Sequence, residues 1–415
     1  MAKSFIPLRE KAVRIMTRVL GDGQSLDETL DDLGQGEPSE ARAWLLDICS
    51  GTLRWKGRLD LVVDSLALKK KPTGWLRKVL LVATGQILLQ DRVPPAMVVS
   101  ETVDLIKQKE GEFPAKFANA ILRKVVEGRT EWSTLPFPER EPDAKKAAWA
   151  SLPLWFWKRL VSDHGEEWAS AFARATLERP STWIRARNES WRPEGAEAGP
   201  IPLSWRLTDG GLMTSRSGFA EGEFIVQDLS SQSLIHEVCA RVKNSSVSKI
   251  LDLCAAPGGK SIALLWNGFQ VTASDKSGVR LGFIEQNKKR VGSDLLQIIS
   301  SDDLSVEKTG KYDLVWVDAP CTGSGIIRRH PDTRWLKEEK DIQSLVKMQS
   351  ELIQKAANFV KPGGYLVYSV CSVFKAEGEG HLPQLQTGGK VIEKWLLSPQ
   401  DSSGDGFWGC FVQKN

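Results

Sequence analysis

The chain has 415 residues, 26% of them charged, and a formal net charge of +4. This length suffices for two or three domains, and the mildly basic balance permits an RNA partner without requiring one. The six cysteines form no C-x-x-C pair and the four histidines do not cluster, so we expect no metal site. The sequence lacks a secretory signal pattern and any apolar run of roughly 18 residues. We therefore expect a soluble, reduced, cytoplasmic protein with no membrane partner.

Residues 1–128 show helical periodicity. Apolar side chains recur at helical spacing, and glycines and prolines separate the stripes, so we predict an all-helical domain. Residues 129–146 carry Pro136, Pro138 and Pro142 among charged side chains, which is typical of a semi-extended linker.

A tryptophan-rich region covers residues 147–225. A predicted helix over 166–176 leads to a strand over 182–187, where basic side chains alternate. Trp183 and Arg185 on this strand are suited to stack a base and hold a phosphate. The competing interpretation places the tryptophans in a core, because aromatic side chains dominate buried area.

The stretch Leu251-Asp-Leu-Cys-Ala-Ala-Pro-Gly-Gly-Lys260 reads as a buried strand, a tight turn and the start of a helix. Such a junction presents free backbone N–H groups and a positive helix end to a ligand. The spacing fits neither the Walker loop nor Gly-x-Gly-x-x-Gly, which points to a nucleotide-type cofactor without a pyrophosphate. The alternative is an ordinary βα turn.

Four more strands follow, each ending in a polar or sulfur-bearing residue. We predict strands over 269–274, 296–300, 311–317 and 365–370, which end beside Asp275, Asp302-Asp303, Asp318 and Cys371. Strands that alternate with helices predict a doubly wound parallel sheet, whose ligands bind at the carboxyl ends of the strands.

Three motifs together resemble a known family. Leu251–Lys260, the stretch from Asp318-Ala-Pro-Cys321 to Asp332, and Tyr368-Ser-Val-Cys-Ser-Val373 are similar to motifs of the bacterial RNA cytosine-5 methyltransferases, above all the Sun/Fmu branch that modifies small-subunit (16S) ribosomal RNA. The resemblance implies a class I methyltransferase domain over 226–415 that uses S-adenosyl-L-methionine. It further implies a small α/β RNA-binding lobe over 147–225 and a NusB-like helical domain that binds RNA or a partner.

The resemblance also assigns the site. Cys371 matches the nucleophile that attacks the cytosine ring, and Cys321 matches the cysteine needed to release the product. Asp318 lies beside cofactor and base, where a carboxylate can accept from the exocyclic amine. The cofactor loop comprises Cys254, Ala255, Ala256, Pro257, Gly258, Gly259 and Lys260, with Asp275 at the ribose and Asp302 near the adenine. A lone cysteine at a strand end is usually a small buried hydrophobe, but two at one sheet edge favour catalysis.

Positive charge clusters at Arg328-Arg329-His330, which we interpret either as an RNA-backbone contact or as a structural loop. Two positions depart from the family pattern: Val370 stands where threonine is usual, and Gly378 stands where asparagine follows the glutamate. These departures bear on substrate affinity and on the choice of target nucleotide.

We therefore predict a monomeric RNA cytosine-5 methyltransferase with 16S ribosomal RNA as its partner. One alternative is methylation of transfer RNA or another RNA. A second is a non-catalytic RNA-binding or assembly factor on the same scaffold. Methylation of an exocyclic amine is disfavoured, because a thiol follows Asp318-Ala-Pro.

Overall fold

The computed structural model describes residues 6–91, 93–304 and 309–415. The chain groups into two compact units, one of Met1–Glu178 with Ile327–Glu339, the other of Arg179–Ile326 with Lys340–Asn415. Residues 147–178 thus group with the N-terminal helices, although we placed them in the lobe of residues 147–225. The predicted domain limits stay a prediction, since contact grouping and functional domains need not divide a chain at the same residues.

The first unit contains ten helices that precede residue 179 in the part of the chain described. They are α1 (Ile6–Asp22), α2 (Leu26–Leu33), α3 (Ser39–Leu66), α4 (Gly74–Leu89), α5 (Pro95–Glu110), α6 (Glu112–Glu127), α7 (Arg129–Ser133), α8 (Asp143–Trp149), α9 (Leu154–His164) and α10 (Glu166–Leu177). Helix α4 lies at the centre of this unit: every residue from Val79 to Leu88 is buried. A helix with apolar residues on all sides belongs in a core, which explains the burial of this largely apolar stretch.

None of the helices in the described ranges is long and apolar enough to cross a membrane.

The second unit begins with a four-stranded antiparallel sheet. Its strands are β1 (Thr182–Ala186), β2 (Ala196–Ala198), β3 (Ser204–Leu207) and β4 (Phe224–Val226), in the spatial order β2-β3-β1-β4. Strand β1, predicted from its alternating pattern, is one of the two central strands of this sheet, and four of its five side chains are buried.

The rest of the unit is built on a seven-stranded sheet. In chain order its elements are α11 (Leu229–Val242), β5 (Lys249–Leu253), α12 (Gly259–Trp266), β6 (Gln270–Asp275), α13 (Gly278–Val291), β7 (Leu296–Ser300), β8 (Tyr312–Asp318), α14 (Thr333–Leu336, part of the first unit), α15 (Glu339–Phe359), β9 (Val360–Val370), α16 (Leu382–Thr387), β10 (Gly389–Leu397) and β11 (Phe407–Lys414).

The strand order in this sheet is β10-β11-β9-β8-β5-β6-β7. The five strands from β5 to β9 are parallel, which confirms the predicted doubly wound sheet, and β10 and β11 close one edge in antiparallel pairing. Strand β5 lies between β6 and β8. From β5 the chain builds the sheet toward one edge through β6 and β7, and then toward the other edge through β8 and β9. A crevice at such a switch point is where open α/β sheets bind their ligands.

Residues 327–339 are built into the helical unit through Arg334. This side chain is fully buried, and its guanidinium donates to four backbone carbonyls, those of Arg54 (3.1 Å), Ser151 (3.1 Å), Thr176 (3.2 Å) and Ile327 (3.0 Å). Burial and the neighbouring Arg54 lower the pKa of Arg334 to about 9. Because this pKa remains above neutrality, the group is a cation whose charge is satisfied by backbone dipoles.

Further hydrogen bonds hold the same segment. The Asp332 carboxylate accepts from the backbone N–H of Leu26 at 2.9 Å, at the first turn of α2, where an acidic group is favoured by the helix dipole. The indole of Trp335 donates to the carbonyl of Leu53 at 2.9 Å.

We expect the Arg334→Leu substitution to destabilise the protein by about 3–5 kcal/mol, because it leaves buried carbonyl groups without donors. Thermal and urea unfolding measure the change. Arg123→Leu, at an exposed position on α6, is the matched control and is expected to stay within about 0.5 kcal/mol of the unmutated protein. Equal stability of the two variants would show that the four hydrogen bonds contribute nothing.

Candidate active site

The predicted cofactor loop lies at the carboxyl end of β5. Cys254 adopts φ of 61° and Gly258 adopts φ of 98°, and α12 begins at Gly259. At Gly258 this left-handed conformation requires glycine, because a side chain would be strained and its Cβ would lie 3.2 Å from Ile284. The result is a tight turn after which the first N–H groups of α12 face the space beyond the carboxyl edge of the sheet.

Neighbouring elements brace this loop. The backbone N–H of Ala256 donates to Asp275 Oδ2 at 3.3 Å, and the carbonyl of Ala256 accepts from Arg280 at 3.1 Å. Asn287 on α13 donates to the carbonyl of Pro257 at 3.0 Å. The N-terminus of α12 can bind a carboxylate through its free N–H groups. The loop and Asp275 lie at the same carboxyl edge of the sheet. Their donors and acceptors together match those of S-adenosylmethionine.

The two other predicted cofactor carboxylates differ in their surroundings. Asp302 and Asp303 are both exposed after β7, and the structure does not favour one over the other. Asp318 ends β8: its Oδ1 accepts from Ser369 Oγ at 2.8 Å and its Oδ2 pairs with Lys260 Nζ. Burial alone would lower the pKa of Lys260, but the charge and hydrogen bond of Asp318 outweigh it and raise that pKa. Lys260 is therefore a fixed cation beside Asp318.

A further carboxyl group lies beneath the loop. Asp252 on β5 is fully buried and accepts a hydrogen bond from Ser261 Oγ at 2.5 Å. Burial raises the pKa of Asp252 to about 7, against the opposing effects of Ser261 and Lys260. Sequence reasoning missed this residue, because a lone aspartate within an apolar strand gives no signal of its partners.

The two predicted catalytic cysteines meet at the edge formed by β8 and β9. These strands are parallel neighbours with Asp318 opposite Ser369, so the loops that leave them run side by side. The Sγ atoms of Cys321 and Cys371 lie 3.3 Å apart. The hydrogen bond with Cys371, burial and the charge of Glu377 together raise the pKa of Cys321 well above its ordinary value. Cys321 therefore keeps its proton and can donate it in the contact with Cys371.

The remaining cysteines have no such setting. Cys49, Cys239 and Cys410 are buried, as expected of core residues. In the cofactor loop, burial and the carboxylates of Asp275 and Asp318 raise the pKa of Cys254 to about 12, so it remains a thiol.

Glu377 is a second residue whose role sequence reasoning did not identify. It is fully buried behind both cysteine loops, and its carboxylate accepts from the backbone N–H of Thr322 (2.8 Å) and from Ser372 Oγ (2.6 Å). The family motif contained the glutamate, but its position six residues after Cys371 in a polar stretch did not reveal these partners.

Of the predicted RNA-contact residues, the structure buries three. Trp183 is 4% exposed, Arg185 is 5% exposed and Arg328 is 5% exposed. Side chains with so little surface cannot stack a base or bind a phosphate in this conformation, which contradicts the predicted RNA contacts of all three. Trp183 lies in the packed interior, as the competing interpretation held. Arg329 and His330 are half-buried, and their RNA contact stays a prediction.

His330 has an acidic neighbour in the same unit. Its Nδ1 lies 3.6 Å from Asp27 Oδ2, and this partner raises the pKa of His330.

Five parallel strands and a glycine turn at the switch point define the fold of a class I methyltransferase, and two thiols lie at the same edge of its sheet. Residues 240–402 match the family model described as 16S rRNA methyltransferase RsmB/F, and residues 7–127 match that of the NusB family. The chain belongs to the ribosomal RNA small subunit methyltransferase B family, and it is an S-adenosylmethionine-dependent methyltransferase, as predicted.

Individual relatives cover nearly the whole chain. The ribosomal RNA small subunit methyltransferase B of Citrobacter koseri is 32% identical over 394 residues, which span 89% of this chain and 88% of that protein. The protein of the same name from Klebsiella pneumoniae strain 342 is 32% identical over 98% of both chains. Among solved structures, that titled "Crystal Structure of PH0851" superposes with a TM-score of 0.72 at 22% identity, covering 97% of this chain and 98% of that one. The last similarity supports the fold.

We expect Asp252→Asn to change how stability depends on pH. An unfolded aspartate has a pKa of about 4, so the folded protein binds the extra proton between about pH 4 and pH 7, and its stability falls as pH rises through that window. A neutral asparagine avoids this loss. The free energy of unfolding of the variant, minus that of the unmutated protein, should therefore be larger at pH 8 than at pH 4.5, by at most about 4 kcal/mol.

Urea unfolding at both pH values, without cofactor, measures the difference. The exposed Asp294→Asn is the control for loss of a surface carboxylate. A stability difference that is the same at both pH values would contradict the raised pKa.

Proposed function

We propose that this enzyme transfers a methyl group to carbon 5 of a cytosine in small-subunit (16S) ribosomal RNA, through a covalent bond between Cys371 and carbon 6 of the base. The observation that supports this most is the 3.3 Å contact between the sulfurs of Cys321 and Cys371, beside Asp318 at the ligand edge of the sheet. The names of its relatives, ribosomal RNA small subunit methyltransferase B, support the substrate.

The chemistry explains why a thiol is needed. Carbon 5 of cytosine is a poor nucleophile, and addition of a thiolate to carbon 6 shifts an electron pair to carbon 5. Bound S-adenosylmethionine supplies an electrophilic methyl group for that carbon. Cysteine suits the first step because its thiolate is strongly nucleophilic.

Release then requires a second group. The proton on carbon 5 must be removed so that the ring double bond re-forms and Cys371 leaves as a thiolate. We assign this step to Cys321. Its raised pKa keeps it protonated at rest, so it would first give up its own proton to solvent, and the resulting thiolate, a strong base, would then take the proton from carbon 5. Asp318 is held by Lys260 and Ser369, and its carboxylate would accept from the exocyclic amine of the base.

The cofactor residues would act as follows. The N-terminus of α12, with Gly258 and Gly259, would hold the carboxylate of the methionine part. Asp275 would bind the ribose hydroxyls, and Asp302 would lie near the adenine. Within the loop, Lys260 supplies the fixed positive charge beside Asp318.

We further propose that the enzyme acts as a monomer in the cytoplasm. Its NusB-like residues 1–128 would bind RNA or a partner protein, and the sheet region within 147–225 would serve as the RNA-binding lobe. The match of residues 7–127 to the NusB family supports the first of these roles.

We expect Cys321→Ala to trap a covalent adduct between the enzyme and its RNA, because Cys371 still attacks while release is blocked. The adduct is a shifted band on a denaturing gel after incubation with RNA and S-adenosylmethionine. Cys371→Ala should give no band and no methyl transfer, although it should still bind the cofactor. An adduct that persists in the double variant would show that the attacking thiol was wrongly assigned.

Bisulfite sequencing of total RNA, from cells with and without the protein, tests the substrate. We expect one cytosine of 16S ribosomal RNA to lose its protection when the protein is absent. Loss at a transfer RNA instead would keep the mechanism and overturn the substrate. No change at any RNA would favour the non-catalytic alternative.

A further inference from the structure

A buried carboxylate connects the two cysteine loops. Glu377 Oε1 accepts from the backbone N–H of Thr322 at 2.8 Å and from Gln349 Nε2 at 3.1 Å. Its Oε2 accepts from Thr322 Oγ1 at 2.5 Å and from Ser372 Oγ at 2.6 Å. Thr322 follows Cys321 directly in the chain, and Ser372 follows Cys371. One side chain therefore binds the residue after each cysteine.

The number of donors shows why this carboxylate is tolerated. A buried charge is costly unless hydrogen bonds replace its hydration, and here four donors do so. Across the ranges 6–91, 93–304 and 309–415, no lysine, arginine or histidine forms an ion pair with Glu377. Its four donors are neutral: three belong to Thr322 and Ser372 on the cysteine loops, and the fourth is Gln349 on α15. The carboxylate therefore ties both loops to this helix.

Other bonds keep the arrangement rigid. Ser324 Oγ lies 2.8 Å from Ser372 Oγ and accepts from the backbone N–H of Val373 at 2.9 Å. The N–H of Gly325 donates to the carbonyl of Cys371 at 3.0 Å. On the other side, Tyr368 Oη donates to the Glu377 carbonyl at 2.7 Å, which fixes the backbone of the glutamate against β9.

We propose that Glu377 is a positioning residue that holds the Cys321 and Cys371 loops together, so that the two thiols stay in contact for the release of the methylated base. This inference rests on the proposed function for its role in turnover, but the geometric part stands without it. The charge of Glu377 also helps to raise the pKa of Cys321, which agrees with the close approach.

The test uses the full-length protein with Glu377→Gln, which keeps the shape of the side chain but removes its charge and one acceptor oxygen. Glu379→Gln is the matched control, since Glu379 is two residues away and only half-buried. The first measurement is closure of a Cys321–Cys371 disulfide by oxidised glutathione, without RNA or cofactor, followed by alkylation and mass spectrometry.

The reaction reports the thiol–thiol contact directly. A thiolate attacks oxidised glutathione, which releases one glutathione, and the second thiolate attacks the mixed disulfide, which releases another. Sulfurs in contact need only a small shift to reach the bond length of about 2.05 Å. We expect rapid closure in the unmutated protein and in Glu379→Gln, and closure at least about tenfold slower in Glu377→Gln, because ring closure depends on orientation.

The second measurement is turnover. For Glu377→Gln we expect kcat to fall by about 10–100-fold, with KM for S-adenosylmethionine within twofold and the covalent adduct accumulating, because misplacement of a catalytic group slows the chemical step. A general loss of structure would raise KM and prevent adduct formation instead. Thermal unfolding confirms that the variant is folded.

Several results would overturn the proposal. Disulfide closure at the unmutated rate in Glu377→Gln would do so, whatever the turnover, as would an unmutated protein that does not close. If Glu377→Gln fails to fold, Thr322→Val removes one hydroxyl donor and leaves the carboxylate in place, and unchanged closure there would also overturn it. If the unmutated protein methylates no RNA, the proposed function fails, but the closure rates still decide the positioning role.

Discussion

The parallel pairing of β8 with β9 is the constraint on which the active site depends. It places Asp318 opposite Ser369, and Ser369 Oγ both donates to Asp318 at 2.8 Å and accepts from the Trp316 indole at 3.0 Å. Both strands are buried in the middle of the sheet, so a slip by one residue would reverse the face of every side chain. The packed core therefore fixes the register, and the register brings the two cysteine loops side by side.

Buried charge in this protein is held by three different means. Lys260 and Asp318 form an ion pair, Glu377 is held by neutral donors, and Arg334 is held by backbone carbonyls. Each avoids the cost of an unpaired buried charge, and each fixes a group in one orientation. Among the residues that the structure describes, Ser261 is the one hydrogen-bond donor to the Asp252 carboxyl group, and burial raises the pKa of this group. Groups held in advance need no reorganisation during the reaction, which is the physical basis of preorganised catalysis.

The sequence predicted the parts that local pattern determines. The apolar run before Cys254 and the two glycines after it predicted β5, its turn and α12, and the polar residues after the later strands predicted which edge carries the site. The sequence offered core burial as one of the two interpretations of Trp183, and the structure confirms it. Burial of Arg185 and Arg328 could not be predicted, because it depends on partners far away in the chain: the carbonyl of Arg328 accepts from Arg54, which lies 274 residues earlier. The grouping of residues 147–178 and 327–339 with the helices has the same origin, as the bonds from Arg334 to Ser151 and Thr176 show.

The two departures from the family pattern have one physical explanation in common. Val370, where threonine is usual, lies opposite Trp408 in the pairing of β9 with β11 and is fully buried. A Cβ at Gly378, where asparagine is usual, would lie 2.6 Å from the Trp408 ring. Both positions therefore adapt to the same indole: valine offers it an apolar surface and glycine leaves room for it. An asparagine at 378 would force the indole or the Glu377 backbone to move, so the small residue preserves the position of the glutamate behind the cysteines. Both departures thus have a packing explanation at Trp408, and their effect on substrate affinity and on the choice of target nucleotide stays a prediction.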